Sequence, residues 1–467
     1  MESLNQSAAL VALSFLAPLA LGHDDGTPIP GEFVIITTPG TTLDDVRAAH
    51  PSLTLTSLRQ FTPARIHLLG VPVGQEDAYE VQLGADTALV RVAEKNRTVA
   101  SPEHGTTQSL FLRTNAETYA QQPAYRSINP PPATSRRGPS GTLVAVLDTG
   151  VAPHPDLISR LELGGYNFIT DTVDTDESEC LPGSGLVGHG TYVAGLIALT
   201  DPYARILPVT VLGCDGVGNS FSVACGIYHA VEQGAGVINM SFATTFPSNL
   251  VETAVVDAGA AGVLCVSSVS NAALDLNNND NRIYPSRFDQ VVAVGGLAGT
   301  SPGGPWTRAA FSDWGRPIDI GAPATDVTSM WFDGSEYAYA DGSGTSYGAA
   351  FVSGVASMVR AKYGPHDALW MKDRLCVSAR EVFIGVPYAM GCGHRDDGIA
   401  SLIDAGRAVC LADFNADLAV DFFDYDAFVI CFMGEGCPQD VSADFDGDGT
   451  VDFFDYDAFV VAFEGGC

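Results

Sequence analysis

From about residue 140 onward, apolar runs of β-type composition alternate with helical stretches. This alternation constrains the fold more than any other feature of the chain. The runs TLVAVLDTG, ARILPVTVL, AGVINMSF, GVLCVSS and QVVAVGGL are apolar at consecutive positions. A strand that is apolar on both faces must be covered on both faces. GTYVAGLIAL, SVACGIYHAVEQG and LVETAVVDAGAAG fall between these runs, have helical spacing, and supply the cover. The pattern predicts an α/β fold with a doubly wound, mostly parallel sheet over residues 138–409.

In open α/β sheets, functional groups gather at the carboxyl ends of the strands. AVLDTG places Asp148 at such an end, and GHGTYVAG opens a predicted helix on His189. GSGTSYGAAFVSG places Ser346 at a glycine-rich turn that feeds another helix. Each residue alone also suits a turn or a helix cap. Together, in the order Asp, His, Ser, they match the roles of orienter, base and nucleophile. GTSYG also fits the G-x-S-x-G elbow of esterases in the α/β-hydrolase class, which needs an acid and a His further on. Asp373 or Asp396, with His366 or His394, would have to serve. That alternative leaves AVLDTG and GHGT without a role.

The large segment resembles the subtilisin-like serine proteases (subtilases). TLVAVLDTGVAPHPDL, GHGTYVAGLIAL and GTSYGAAFVSGVASMV resemble the segments around that family's catalytic Asp, His and Ser. ILPVTVLGCDGVGNS, GVINMSF and FSDWGRPIDIGAPA follow in the family's order. The resemblance implies a serine endopeptidase in which Ser346 attacks a peptide carbonyl, His189 moves the proton and Asp148 holds His189. It implies Asn271, in VSSVSNAA, as the side-chain donor to the oxyanion. It implies Ser241, Phe242 and Ala243 as a wall of the substrate cleft. The departures are Phe242 and Ala243 for the usual Leu and Gly, Tyr192 for His, Ala350 for Pro and Ala324 for Gly. None removes a catalytic group, although a catalytically inert adhesion or scaffold protein remains an alternative.

Upstream, residues 1–22 contain the apolar run AALVALSFLAPLALG, which reads as a signal peptide although MESLNQS carries no Lys or Arg. The run is too short to span a membrane, and Pro18 interrupts it. Residues 23–107 read as a small α+β unit: strands in GEFVIITTP and ARIHLLGVP, helices in TTLDDVRAAHP and TALVRVAEKN, and a closing strand in RTVASPEH. The unit resembles the inhibitor-like propeptide of subtilases, which implies a zymogen matured between 105 and 140, with Arg136–Arg137 as one candidate point. Residues 108–137, with NPPPATSRRGPS, read as an exposed linker.

The formal charge of -32 comes from 55 Asp+Glu against 23 Lys+Arg, and 14 of the acids lie in residues 411–467. Such a chain lacks the clustered Lys/Arg that nucleic acid requires. The tail repeats DFFDYDAFV at 421–429 and 452–460. DFDGDGTVDFFD puts Asp444, Asp446, Asp448, the Thr450 carbonyl, Asp452 and Asp455 at EF-hand-type oxygen spacing for Ca²⁺, with Gly449 at the sharp turn. DFNADLAVDFFD repeats this with Asp413, Asn415, Asp417, Asp421 and Asp424, but Leu418 replaces the Gly, so weaker Ca²⁺ binding is expected there. Residues 410–467 resemble a dockerin, an all-α EF-hand-like module, which implies Ca²⁺ and a cohesin-like or cell-surface partner. Ten Cys with no CxxC pair suit disulfides in an exported, bacterial, monomeric protein. The four from Cys410 onward are the leading bridge candidates, whereas Cys225 and Cys265 read as buried thiols.

Overall fold

The computed structural model describes residues 26–104, 112–131, 141–177, 180, 185–299, 305–384, 399–410, 413–415, 420–437, 443 and 451–465. The predicted leader, Arg136 and Arg137 lie outside these residues.

The first unit contains β1 (Pro28–Thr37), α1 (Leu43–Ala49), β2 (Thr56–Phe61), β3 (Ile66–Gly70), α2 (Glu76–Gly84) and β4 (Val90–Ala100). Its strands lie antiparallel in the order β2-β3-β1-β4. TTLDD starts α1 through a capping box: Thr42 Oγ1 accepts from the Asp45 N–H and Asp45 Oδ2 accepts from the Thr42 N–H. TALVRVAEKN was expected to be helical, but it forms most of β4. Val90, Val92, Glu94 and Asn96 are buried in alternation, which is the period of a strand. A segment with apolar residues at both spacings is settled by the sheet it can join.

The expected linker is also corrected. Within it, β5 (Leu112–Thr114), α3 (Ala116–Gln121) and α4 (Pro123–Ser127) belong to the large domain. Tyr119, Ala124 and Ile128 are buried in that domain's core, and β5 pairs with β16 (Tyr337–Gly342). The aromatic and apolar side chains of this stretch outweigh its Pro-rich flank.

The large domain runs through β6 (Leu143–Asp148), β7 (Tyr166–Asn167), α5 (His189–Thr200), β8 (Arg205–Thr210), β9 (Val217–Asn219), α6 (Ser220–Glu232) and β10 (Val237–Met240). It continues with α7 (Asn249–Ala260), β11 (Leu264–Ser268), β12 (Val291–Ala298), β13 (Thr307–Arg308), β14 (Ile320–Pro323), β15 (Val327–Phe332), β16 and α8 (Thr345–Tyr363). It closes with α9 (Ala368–Ser378), β17 (Arg380–Phe383), β18 (Ile399–Leu402) and α10 (Ala405–Ala408). The main sheet has the order β17-β18-β14-β12-β11-β10-β6-β8-β7. Its neighbours are parallel from β18 to β7, while β17 and β13 pair antiparallel. Val144 and Val146 of β6 face the core under α5 and α8, whereas Leu143, Ala145 and Leu147 face the core under α6 and α7. That two-sided burial explains the unbroken apolar runs.

A Cys180–Cys214 disulfide closes a 34-residue separation in this domain, and Cys431–Cys437 closes one of 6 in the tail. Cys376 and Cys410 are also disulfide-bonded, while Cys225 and Cys265 are free and buried. Three of the four leading candidates, Cys410, Cys431 and Cys437, are bonded, and the large domain carries a further bridge at Cys180–Cys214.

In the tail, α11 (Phe422–Phe432) and α12 (Phe453–Gly465) pack repeat against repeat. Phe428 stacks on Phe459 at 4.0 Å, and the Tyr425 and Tyr456 hydroxyls meet at 2.7 Å. Each pair consists of the same repeat position, 31 residues apart. Among the described residues, no helix is long and apolar enough to cross a membrane.

Candidate active site

β6, inside the main sheet, ends on Asp148 and α5 begins on His189, so a strand's carboxyl end and a helix start bring two of the predicted residues together. Asp148 Oδ1 lies 2.7 Å from His189 Nδ1, and both side chains are fully buried. Ser346 sits in the first turn of α8, on the far side of His189 from Asp148. Its Oγ does not meet His189 directly in the described contacts. It donates instead to Glu103 Oε2 at 2.7 Å, and the same oxygen lies 3.2 Å from His189 Nε2.

Asn271 completes the pocket. Its Oδ1 accepts from the Thr345 N–H at 3.1 Å, which turns its Nδ2 toward Glu103 Oε1 at 3.0 Å. The Glu103 carboxylate thus touches the predicted nucleophile, base and oxyanion donor at once, at a helix N-terminus that favours negative charge. Gly344 makes room for it: a Cβ there would come within 2.0 Å of Glu103 Oε1. Burial pushes the Glu103 carboxyl up, but the bonds and charge of His189, with bonds from Ser346 and Ser101, hold it below its ordinary value. Burial disfavours charge on His189 too. Asp148 and Glu103 outweigh it and raise the imidazole well above its usual range.

Glu103 arrives from the first unit. β4 pairs with β9 through Thr98, Val99 and Ala100, and Ala100 exchanges both main-chain bonds with Ala243 at 2.7 and 3.1 Å. The segment is therefore a strand inserted between β9 and the predicted cleft wall. It then turns at Ser101–His104, where the His104 N–H donates to the Ser101 carbonyl. The sequence held no motif for Glu103, because the groups it meets lie far away along the chain.

The subtilase family model matches residues 139–393. A thermostable alkaline protease of Halalkalibacterium halodurans is 35% identical over 278 residues, covering 58% of this chain and 68% of that protein. Subtilisin BL of Lederbergia lenta is 36% identical over 242 residues, 50% of this chain and 81% of that one. The chain belongs to the subtilase family. It is a subtilisin-like serine protease. Fervidolysin from Fervidobacterium pennivorans, described as a keratinolytic enzyme related to subtilisin, shares its fold with a TM-score of 0.64 at 21% identity. That likeness covers 82% of this chain and 61% of fervidolysin.

In this subtilase, the predicted wall residues behave differently from one another. Ser241 is fully buried and its Oγ donates to the Ser346 carbonyl at 3.4 Å. Ala243 offers its main chain to Ala100. Phe242 turns into the core beside Val223, Val251 and Tyr284. The Tyr192 ring packs tilted against Tyr347 at 4.4 Å, and its hydroxyl donates to the Val327 carbonyl. A further residue escaped the sequence reading. The buried Asp313 accepts from Ser270 N and Oγ at 2.9 and 2.6 Å and from Leu274 N at 2.9 Å, bracketing Asn271. Burial raises its carboxyl to about 6. The esterase constellation does not form among the described residues, since His366 stacks on Trp370 at 3.8 Å. His394 and Asp396 lie outside them.

Of the predicted Ca²⁺ ligands, Asp417, Asp444, Asp446, Asp448 and Thr450 lie outside the described residues. Asp413 is buried, and its Oδ2 pairs with Arg374 of α9. Its Oδ1 has no hydrogen-bond partner among the described residues. Asp424 is fully buried, accepts from the Asn415 and Asp421 N–H groups at 3.0 and 2.9 Å, and is raised by burial and by the Asp413 charge. Asp455 repeats the bond, accepting from the Asp452 N–H at 2.8 Å. A buried, unpartnered Asp413 oxygen facing a second buried carboxylate suits a cation. No group of three or more His, Cys, Asp or Glu is assembled among the described residues.

Proposed function

We propose that this subtilase is a secreted endopeptidase with an Asp148–His189–Ser346 triad, made as a zymogen and tethered through a Ca²⁺-dependent carboxyl-terminal module. The observation that carries the reading is the convergence of Ser346, His189 and Asn271 on one carboxylate at the end of a strand already lying in the cleft. A group that satisfies all three occupies the seat of a reacting carboxyl carbon and its oxygens.

With a peptide in that seat, Ser346 Oγ attacks the carbonyl while His189 Nε2 takes its proton. Asp148 holds the imidazole through Nδ1 and stabilises the imidazolium. Asn271 Nδ2 donates to the oxyanion, a contact whose loss typically costs ~10²–10³ in rate. His189 returns the proton to the leaving amine, leaving an acyl-enzyme that water hydrolyses by the same steps. Strand addition beside Ala243, as Ala100 does, presents extended polypeptide.

Residues 26–104 act in this reading as the inhibitory propeptide, with Glu103 as the plug. The apolar leader supports export. Asp413, Asn415, Asp417 and Asp424 in one loop, and Asp444, Asp446, Asp448, Asp455 and the Thr450 carbonyl in the other, would hold Ca²⁺. The bound ion would neutralise clustered acids and fasten each loop to its helix.

Labelling by a fluorophosphonate tests the catalytic part. Wild-type protein is expected to label after maturation and Ser346→Ala to remain blank. Labelling that ignores the substitution would overturn the assignment. For the module, Ca²⁺ is expected to raise the melting temperature of the full chain's tail transition. Asp444→Ala combined with Asp448→Ala should remove most of that rise. A chelator-insensitive wild-type melt counts against the Ca²⁺ site.

A further inference from the structure

Glu177 is a second buried carboxylate next to the triad, bonded to the turn after Asp148 and the start of α5 and untouched by the mechanism above. It is 1% exposed. Its Oε1 accepts from the Gly188 N–H at 3.0 Å and from the Thr149 hydroxyl. Its Oε2 accepts from the Thr191 hydroxyl at 2.5 Å and the Thr191 N–H at 3.4 Å.

An ionised carboxylate has no proton to give, so both hydroxyls donate to it. Thr149 Oγ1, in the turn after Asp148, accepts from the Gly190 N–H at 3.0 Å. Thr191 Oγ1, in the first turn of α5, accepts from the Ala152 N–H at 2.8 Å. Each hydroxyl thus links the turn to the helix; Thr191 Oγ1 donates to Glu177, and Thr149 Oγ1 lies closer to Glu177 than to its other acceptor, Asp148 Oδ1 at 3.3 Å. The carboxylate receives donors only, at a helix N-terminus that favours its charge. We propose that Glu177 is a positioning residue for the triad: by taking both threonine protons it locks the turn after Asp148 onto the start of α5 and sets the Asp148–His189 contact. This rests on the reading of Asp148, His189 and Ser346 as the triad.

Glu177 comes from outside both elements it joins, so its own segment must be held. The Val151 N–H donates to the Thr175 carbonyl at 2.9 Å, and the Cys180 N–H to the Glu177 carbonyl at 2.9 Å. Cys180 is tied to Cys214 by the disulfide. Gly150, at φ +116°, permits the approach, since a Cβ there would come within 2.6 Å of the Thr175 carbonyl oxygen. The charged neighbours across these elements are Asp148 on β6 and His189 on α5, with Glu103 beyond His189.

The test uses Glu177→Gln and Glu177→Ala in the full chain, each also in a Ser346→Ala background. The first readout is the low-field proton resonance of His189 Nδ1, which reports the bond to Asp148 without any turnover. It is expected to shift or broaden in both substitutions, less in Gln, which keeps one acceptor. The second is steady-state kinetics of the matured protein, where kcat should fall by about 10- to 100-fold, the cost of a displaced catalytic group. KM should stay within about twofold, because the substrate wall is untouched. An unchanged His189 resonance in either folded variant overturns the proposal, as does a drop in melting temperature with unchanged kcat. If Glu177→Ala fails to fold, the Gln variant decides. A wild-type protein without Ser346-dependent activity would sink the proteolytic reading, while the resonance would still judge Glu177.

Discussion

Glu103 and Glu177 flank the same histidine, both buried, yet the two regions hold their carboxylates in opposite ways. Glu177 takes its donors from main chain and threonine hydroxyls that have no part in turnover. Glu103 takes its donors from Ser346, His189 and Asn271, the groups the proposed mechanism uses, with one more from Ser101. Under the proposed function, the first arrangement is scaffolding and the second must be displaced before Ser346 can react. Their acidities diverge for the same reason. Burial raises the Glu177 carboxyl to about 7, because its hydroxyl partners only partly offset it and Asp148 adds repulsion. Beside Glu103, the bonds and charge of His189 outweigh burial. His189 lowers both carboxyls through its charge, but only Glu103 also takes a direct bond from it, and that bond separates the two.

The sharpest way to break this comparison is to remove the front carboxylate. Glu103→Ala in the full chain should speed fluorophosphonate labelling of Ser346 on the order of 10-fold to 100-fold. That range corresponds to the ~1.5–3 kcal/mol of a hydrogen bond to a charged group. An unchanged rate would make Glu103 a bystander. Its acidity adds a signature. Because the docked carboxyl is depressed from 4.5, its contribution to docking is complete above that ordinary value and lost as pH falls through the lower, docked value. In Ser346→Ala, the protection of the Ala100 and Ala243 amides relative to their intrinsic exchange rate should therefore fall at acid pH, and less so with Glu103→Ala.

A smaller effect sharpens the other half. The Glu177 carboxyl is raised, so its contribution to stability is complete below 4.5 and falls away as pH rises toward about 7. Glu177→Gln should flatten the fall in melting temperature across that window by a few degrees, given ~2–4 °C per kcal/mol for a domain of this size. A wild-type slope that survives the substitution assigns the titration to another group.

Much of the architecture was legible because its signals are local. Runs such as LVAVLD are apolar at every position, and only a sheet covered on both faces uses that. Asp148, His189 and Ser346 stand at element ends with glycines beside them, which a reader can find without coordinates. TALVRVAEKN misled because its apolar spacing suits either period, and only pairing with β1 chose the strand. The stretch at 108–137 misled because Pro and Ser dominated its far end while Tyr119 and Ile128 carried the burial. The repeat at 421–429 and 452–460 showed that the tail contains two copies of one unit. It did not show that Phe428 would stack on Phe459, or that Asp413 would also pair with Arg374.

By itself, then, the sequence determined the class of fold, the family and the internal repeat, because each is written in residues close together along the chain. Only the tertiary structure decided that Glu103 sits on Ser346, that Glu177 braces the start of α5 and that Asp313 frames Asn271. Each of these carboxylates answers to donors brought from distant parts of the chain. Their burial is tolerable only because folding delivers those donors together.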